Sequence, residues 1–372
     1  MEKKSLNINL HKARAAKNDK FYTQYGDIQK EIEAYLEYDP DVFRGKVVYC
    51  NCDDPFESNF FKYFAAKFNA LGLKKLITTS YRESPIAGRK LPLSEMEGLK
   101  SIKPKDAEPY KIEINEVSDI NSDGAINLED VEQLLKHDKN TVTPLRGNGD
   151  FRSNECIELL RQADIVVTNP PFSLFREYVK QLFDYNKKFV IIGSMNAITY
   201  KETFPLIKDN KMWLGNGFRA GNAFFSTPFA KEYGEGVYIP ETGLVKFRNV
   251  CWFTNLDHGR RHQPLPLMTM EENLKYSKHK EIKGKKAYEK YDNYDAIEVP
   301  FTDAIPSDYS YVMGVPLSFL DKYSPEQFEI IGGTANGQVP NEFKIGDFKV
   351  YNNPISNGRK IYQRILIKHK EK

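Results

Sequence analysis

The feature that most constrains the fold of this chain is a repeated alternation of short apolar runs with stretches of helical spacing. Gly45 introduces KVVYCN, a β-branched run that reads as a buried strand ending at Asn51. SNFFKYFAAKFNALGL follows as a helix, with Ser58 placed to cap its start and Gly72 to stop it, and KKLITTSY reads as the next strand. Strand, helix and strand in succession form a βαβ unit, the seed of a parallel sheet. Later the same rhythm returns, with ECIELLRQA helical, DIVVTN a strand, SLFREYVKQLFDY helical and KKFVIIGS a strand. Upstream, DIQKEIEAYL sets Ile28, Ile32 and Leu36 on one helical stripe. The pattern predicts an α/β fold, an open sheet with helices on both faces.

The 372 residues suffice for two domains, and 40% hydrophobic with 28% charged residues is ordinary for a soluble globular protein. Beyond Asn255 the apolar periodicity fades and Lys, Arg, Tyr and Pro become frequent. The expected division is therefore 1–255 and 256–372. A formal net charge of only +3 means that any polyanion-binding surface must be local. One such stretch lies between His258 and Lys290, where nine Lys and Arg face four Glu. Charge runs are usually solvated loops, and that reading stands beside one of phosphate contact. Cys50, Cys52, Cys156 and Cys251 show no zinc-ligand spacing and read as reduced thiols. The polar opening lacks the apolar segment of a signal peptide, and no apolar run is long enough to span a bilayer. A cytoplasmic protein without membrane contact is expected.

The sharpest chemical signal is Asp164 to Phe172, DIVVTNPPF. Its buried strand ends in Asn169-Pro170-Pro171-Phe172, and a helix follows. In open α/β sheets ligands bind beyond the carboxyl ends of the strands, where this tetrapeptide would stand. An exocyclic amine on an aromatic ring is a poor nucleophile because its lone pair is delocalised. If the Asn169 side-chain oxygen and the Pro170 carbonyl each accept one of its hydrogens, the nitrogen can pyramidalise and aim its lone pair at a sulfonium methyl. Pro170 and Pro171 fix φ and hold the acceptors in place. Phe172 offers a face for a base to stack on. The plainer alternative is a strand-terminating Asn-Pro turn.

With these motifs in view, the chain resembles the EcoRI-type adenine-specific DNA methyltransferases. The resemblance runs through Phe21-Tyr22-Thr23-Gln24, VVYCNCDDP with Ser58-Asn59-Phe60, Gly149-Asp150-Phe151-Arg152-Ser153 and DIVVTNPPFSLF. It continues through KKFVIIGSMNAITYKE, WFTNLDHGRR, KYDNYDAIEV and VMGVPLSFLDKY. It implies a Rossmann-like sheet that uses S-adenosylmethionine, with a C-terminal DNA-recognition region. Phe21, Tyr22 and Thr23 are then expected against the methionine part of the cofactor, and Asn51, Asp53, Asp54 and Pro55 near its amino-acid moiety. Asp150 and Phe151 are expected near its adenine, and Asn169 to Phe172 at the reacting amine. The loop after the first strand, CNCDDPFESNF, departs from the glycine-rich pattern general among methyltransferases.

Because a duplex hides the adenine amine, the resemblance implies base flipping. Arg260, Arg261, Lys278, Lys283, Lys285 and Lys286 are the expected phosphate contacts. A monomeric state is expected, and a cognate restriction endonuclease stays open, since paired, phage-borne and solitary enzymes look alike at this level. The alternatives are methyl transfer to RNA bases or a protein glutamine amide, and a catalytically inactive DNA-binding module of the same fold. A separate motif, DINSDGAINLED, resembles an EF-hand loop. Asp119, Asn121, Asp123, the Ala125 carbonyl, Asn127 and Asp130 stand at ligand positions and Gly124 at the turn, so one open reading is a structural calcium ion there. Its alternative is an Asn/Asp/Gly turn capping a helix.

Overall fold

Strands buried on both faces read as unbroken apolar runs, and two such runs form the middle of the main sheet. The computed structural model describes residues 21–52, 54–55, 58–81, 109–117, 141–218, 221–346 and 353–370. Contacts divide the chain into two units, Met1–Ser194 with Gly217–Leu256, and Met195–Asn216 with Asp257–Lys372. The first unit opens with β1 (Tyr22–Thr23), α1 (Tyr25–Tyr38), β2 (Val47–Cys50), α2 (Asn59–Ala66), β3 (Lys75–Thr79), β4 (Tyr110–Ile114) and β5 (Thr141–Pro144). It continues with α3 (Asn154–Gln162), β6 (Ile165–Thr168), α4 (Phe175–Asp184) and β7 (Lys188–Ser194). Its last strands are β8 (Ala223–Ser226), β9 (Tyr238–Ile239), β10 (Leu244–Phe247) and β11 (Val250–Thr254).

Seven of these strands are hydrogen-bonded in the order β5-β4-β3-β2-β6-β7-β11. The central four are parallel, whereas β4, β5 and β11 join antiparallel. All four residues of β2 and of β6 are buried. Parallel β2, β3 and β6 therefore end on one edge, and the residues next in the chain, Asn51, Ser80 and Asn169, are buried there. Helix α4 lies close on β7. A Cβ at Gly193 would stand 2.4 Å from the Phe175 ring, so the glycine makes room for the aromatic. A second, antiparallel sheet, β1-β8-β10-β9, carries the N-terminal motif, with Tyr22 opposite Ser226 and Thr23 opposite Phe225. The Phe21 ring packs on Phe225 and Phe247, with centroids 5.8 and 4.9 Å apart. Such aromatic burial is what fixes so short an edge strand.

The second unit holds a four-stranded sheet of β12 (Ile297–Glu298), β13 (Met313–Pro316), β14 (Phe328–Gly333) and β15 (Arg364–His369), in the order β12-β13-β15-β14. The segment 195–216, which the sequence grouped with the first 255 residues, packs in this unit. Phe204 lies against Gly333, and the carbonyls of Leu214 and Asn216 accept from His258 and Arg260. These partners are remote in sequence, so periodicity could not show them. The helix expected from Ser58 to Gly72 stops at Ala66. Gly72, at φ +61°, instead turns the chain so that its carbonyl accepts from the Gly45 amide at 2.8 Å.

Candidate active site

Strand β6 delivers Thr168 and Asn169 to the carboxyl edge of the sheet, and both reach across it. The Thr168 hydroxyl donates to the Asn51 carbonyl at the end of β2. Asn169 is 8% exposed, and its Nδ2 donates to the Phe21 carbonyl at 2.6 Å. Its Oδ1 is buried with no hydrogen-bond partner. Buried polar atoms nearly always find partners, and this acceptor at the end of a parallel strand can take a hydrogen from a donor outside the chain. Pro170 is buried and Pro171 sits at φ −55°, opening the 3-10 turn Phe172–Leu174 that leads into α4.

Asn51 is clamped from a second side. Tyr178 of α4 is wholly buried and donates to Asn51 Oδ1 at 2.5 Å, while burial keeps its phenol well above its ordinary pKa. The next residue, Cys52, turns through φ +74°. Asp54 is buried and accepts from the Tyr110 hydroxyl at 3.0 Å. Ser58 occupies the N-cap of α2 without capping it, and its Oγ is buried and unpartnered. The Asn59 amide donates to the Thr23 carbonyl at 2.7 Å, and Thr23 Oγ1 is likewise buried without a partner. Beside the end of β3, the loop residue Gly149 takes φ +75°, and a Cβ there would lie 2.0 Å from the Ser80 carbonyl. Only glycine lets the 146–151 loop come this close to the end of β3. Phe151 then packs edge-on to Tyr178, centroids 4.9 Å apart. Hydrogen bonds from Arg152 hold the Asp150 carboxyl below its ordinary pKa, with 2.7 Å between Arg152 Nη2 and Asp150 Oδ2.

The family model for the adenine-specific methyltransferase EcoRI matches residues 9–370, nearly the whole chain. This chain belongs to that family. It is 44% identical to the type II methyltransferase M.EcoRI of Escherichia coli, over 100% of this chain and 99% of that one. It is 34% identical to M.MpnI of Mycoplasma pneumoniae, with 97% and 98% covered, and 34% identical to M.MgeORF184P of Mycoplasma genitalium, with 97% and 99% covered. No solved structure matches it.

As a member of the family the protein is an adenine-specific methyltransferase, and its sequence-predicted residues fall into three groups. In the first unit, Asn169 is hydrogen-bonded to Phe21, its neighbour Thr168 to Asn51, and Thr23 to Asn59. Asp54 and Asp150 are engaged by Tyr110 and Arg152, Pro55 is buried, and Phe172 is buried in the core. Asp53 and the EF-hand-like loop, from Asp119 to Asp130, lie outside the described residues. Among the described residues no cluster of three or more His, Cys, Asp or Glu could hold a metal ion. Nor is any described helix long and apolar enough to cross a membrane.

The third group needs a correction. Arg261, expected on DNA phosphates, is only 6% exposed. Its guanidinium lies 3.9 Å above the Trp213 ring and donates to Asn210 and, at 3.2 Å, to Asp257. Arg260 is half-buried and donates to the Asn216 carbonyl. Lys278, Lys283, Lys285 and Lys286 are exposed, with Lys278 2.7 Å from Asp303 and Lys285 2.6 Å from Glu289. A cavity of about 240 Å³ in this unit is lined by Leu274, Ile282, Tyr288 and Pro300 together with Lys285 and Glu298, and holds none of the NPPF residues. The sequence reading missed Tyr178 and Tyr110, since nothing in a helix or strand pattern says which tyrosine will meet a loop far along the chain.

Proposed function

We propose that this chain transfers a methyl group from S-adenosylmethionine to the N6 amine of adenine at a specific site in duplex DNA. In this reading the first unit forms a Rossmann-like catalytic domain and the second, to which 195–216 also belongs, supplies DNA recognition. The observation that carries it is the orphaned Oδ1 of Asn169, a buried acceptor fixed beyond a parallel strand.

The residues present fit the cofactor. The unpartnered hydroxyls of Thr23 and Ser58 belong to the N-terminal motif and to the loop after β2, and Asn59 ties these two segments together. Such hydroxyls can bind a carboxylate or ammonium group. The turn at Cys52 brings backbone to the same edge without a glycine. Phe21, Tyr22, Asn51, Asp53, Asp54 and Pro55 would complete the methionine side, with Asp150 and Phe151 toward the adenine. When bound, S-adenosylmethionine supplies an electrophilic methyl on a sulfonium.

The protein's part is to make the amine nucleophilic. Asn169 Oδ1 and the Pro170 carbonyl would each accept one N6 hydrogen, drawing the nitrogen out of conjugation with the ring. Pro170 and Pro171 restrict both acceptors, so little reorganisation is left for the reaction itself. A proton leaves only after the nitrogen has become cationic, which removes the need for a strong base. Phe172, 8% exposed at this edge, would give the flipped base a stacking face. In the second unit, Lys278, Lys283, Lys285 and Lys286 would contact phosphates, since their ammonium groups are exposed whereas Arg261 is not. The type II designation of the relatives favours a paired restriction endonuclease in the host.

Labelled methyl transfer to duplex DNA, RNA and protein in parallel tests the reading, followed by mapping of the methylated adenines. Label in N6-methyladenine of duplex DNA at one repeated sequence is expected. Label confined to RNA or to protein glutamine would overturn the choice of substrate, and no label anywhere would favour an inactive DNA-binding module.

A further inference from the structure

A carboxamide presents one donor face and one acceptor face, and its orientation in a protein follows from its neighbours. At Asn169 the neighbour is a main-chain carbonyl, that of Phe21, which can only accept. The nitrogen must therefore face Phe21, and Oδ1 is left as the buried, unpartnered atom. Phe21 is not free to drift. Its ring is packed on Phe225 and Phe247, and the two residues after it pair with β8. The Thr23 carbonyl is held in turn by Asn59 at 2.7 Å. The N-terminal motif thus reaches the NPPF residues through one hydrogen bond.

From this geometry we infer that the Phe21 carbonyl is a positioning group for methyl transfer, and that it makes an amide rather than a carboxylate obligatory at position 169. The inference rests on the adenine N6 reading only for the identity of the incoming donor. If residue 169 acted solely as an acceptor, aspartate would serve as well as asparagine or better, because an ionised oxygen accepts more strongly. With the Phe21 carbonyl as its neighbour, an ionised aspartate sets oxygen against oxygen in a buried site, and only a protonated one could donate there as the amide does. Losing that hydrogen bond to a repelling oxygen loosens segment 21–23 from its seat, and the carboxylate also turns away from the amine. Both outcomes cost the reaction, and neither is reversed by the stronger acceptor.

The test is Asn169→Asp in the full-length protein, beside Asn169→Ala and the wild type. It combines single-turnover methylation of an adenine-containing duplex with backbone hydrogen exchange over residues 21–25. Single-turnover rates in both variants should fall by about 100-fold or more, as when one preorganised polar group is removed from an active site. Exchange at 21–25 should rise more in Asn169→Asp than in Asn169→Ala, because one repels the carbonyl and the other only withdraws a donor. Unchanged circular dichroism and thermal unfolding in Asn169→Ala separate this effect from general misfolding. An Asn169→Asp protein within about threefold of the wild-type rate, against the fall expected for a disrupted site, or with unchanged exchange at 21–25, overturns the inference. Should the wild type itself transfer no methyl to adenine, the substrate reading falls, and the exchange measurement alone still decides the role of Phe21.

Discussion

Two polar regions of this molecule are built on opposite terms. Around Asn169, polar groups are withdrawn from water onto the edge of a buried sheet, and Asn169 Oδ1, Thr23 Oγ1 and Ser58 Oγ are left without partners. In the stretch from Asp257 to Lys290, the exposed cations are solvated and in part matched by carboxylates, as Lys278 is by Asp303 and Lys285 by Glu289. An unpartnered buried group costs free energy until something fills it, so it encodes geometry. An exposed lysine costs little to leave alone, so it encodes attraction without geometry. The proposed catalysis calls for the first kind of construction and the proposed phosphate binding for the second. Arg261 belongs to neither. It sits in the basic stretch by sequence yet is buried on Trp213.

The contrast can be broken experimentally. The largest effect is expected from Asn169→Ala, which should lower kcat by about 10²- to 10³-fold, by analogy with removal of one transition-state hydrogen bond. Titration calorimetry should find S-adenosylmethionine affinity near that of the wild type, and a large drop in affinity would mean that Asn169 serves the cofactor. Next comes Arg261→Ala. Removing one member of a buried, hydrogen-bonded charge pair costs about 3–5 kcal/mol, and the half-exposed Asp257 places this site toward the lower end. A lower denaturant midpoint with an unchanged salt slope of DNA binding is expected, and a changed slope would return Arg261 to the phosphates.

Smaller is Tyr178→Phe, which leaves Asn51 Oδ1 without its phenolic donor. The cost should be about 1–3 kcal/mol in chemical denaturation, together with weaker cofactor binding. Unaltered cofactor affinity would show that the clamp on Asn51 is structural only. Least disturbing to the fold is the combined replacement of Lys278, Lys283, Lys285 and Lys286 by Ala, expected to change stability by less than about 0.5 kcal/mol per site. The plot of log K against log salt should flatten by roughly 0.9 for each phosphate that is no longer neutralised. An unaltered slope would move the DNA surface elsewhere.

The parts of the candidate site can be picked out from residue order because each is local. DIVVTNPPF announces a strand that ends in a rigid turn, and FYT, the CNCDDP loop and GDF each carry a recognisable pattern. Less legible was what joins them. The pairing of Thr23 with Phe225, the antiparallel addition of β4, β5 and β11, and the passage of 195–216 into the second unit depend on partners far along the chain. Short strands carry too few residues to show their partners by periodicity. The basic stretch misled at Arg261 because composition counts a charge without knowing that an indole face and two oxygen acceptors will bury it.

By itself the sequence determined the βαβ rhythm, the place where strand β6 stops, and an asparagine held between a buried strand and two prolines. Tertiary structure alone decided which way that asparagine's amide faces. A carboxamide has no preferred flip of its own, and only the carbonyl of Phe21, 148 residues away in sequence, can take its N–H and leave the oxygen bare.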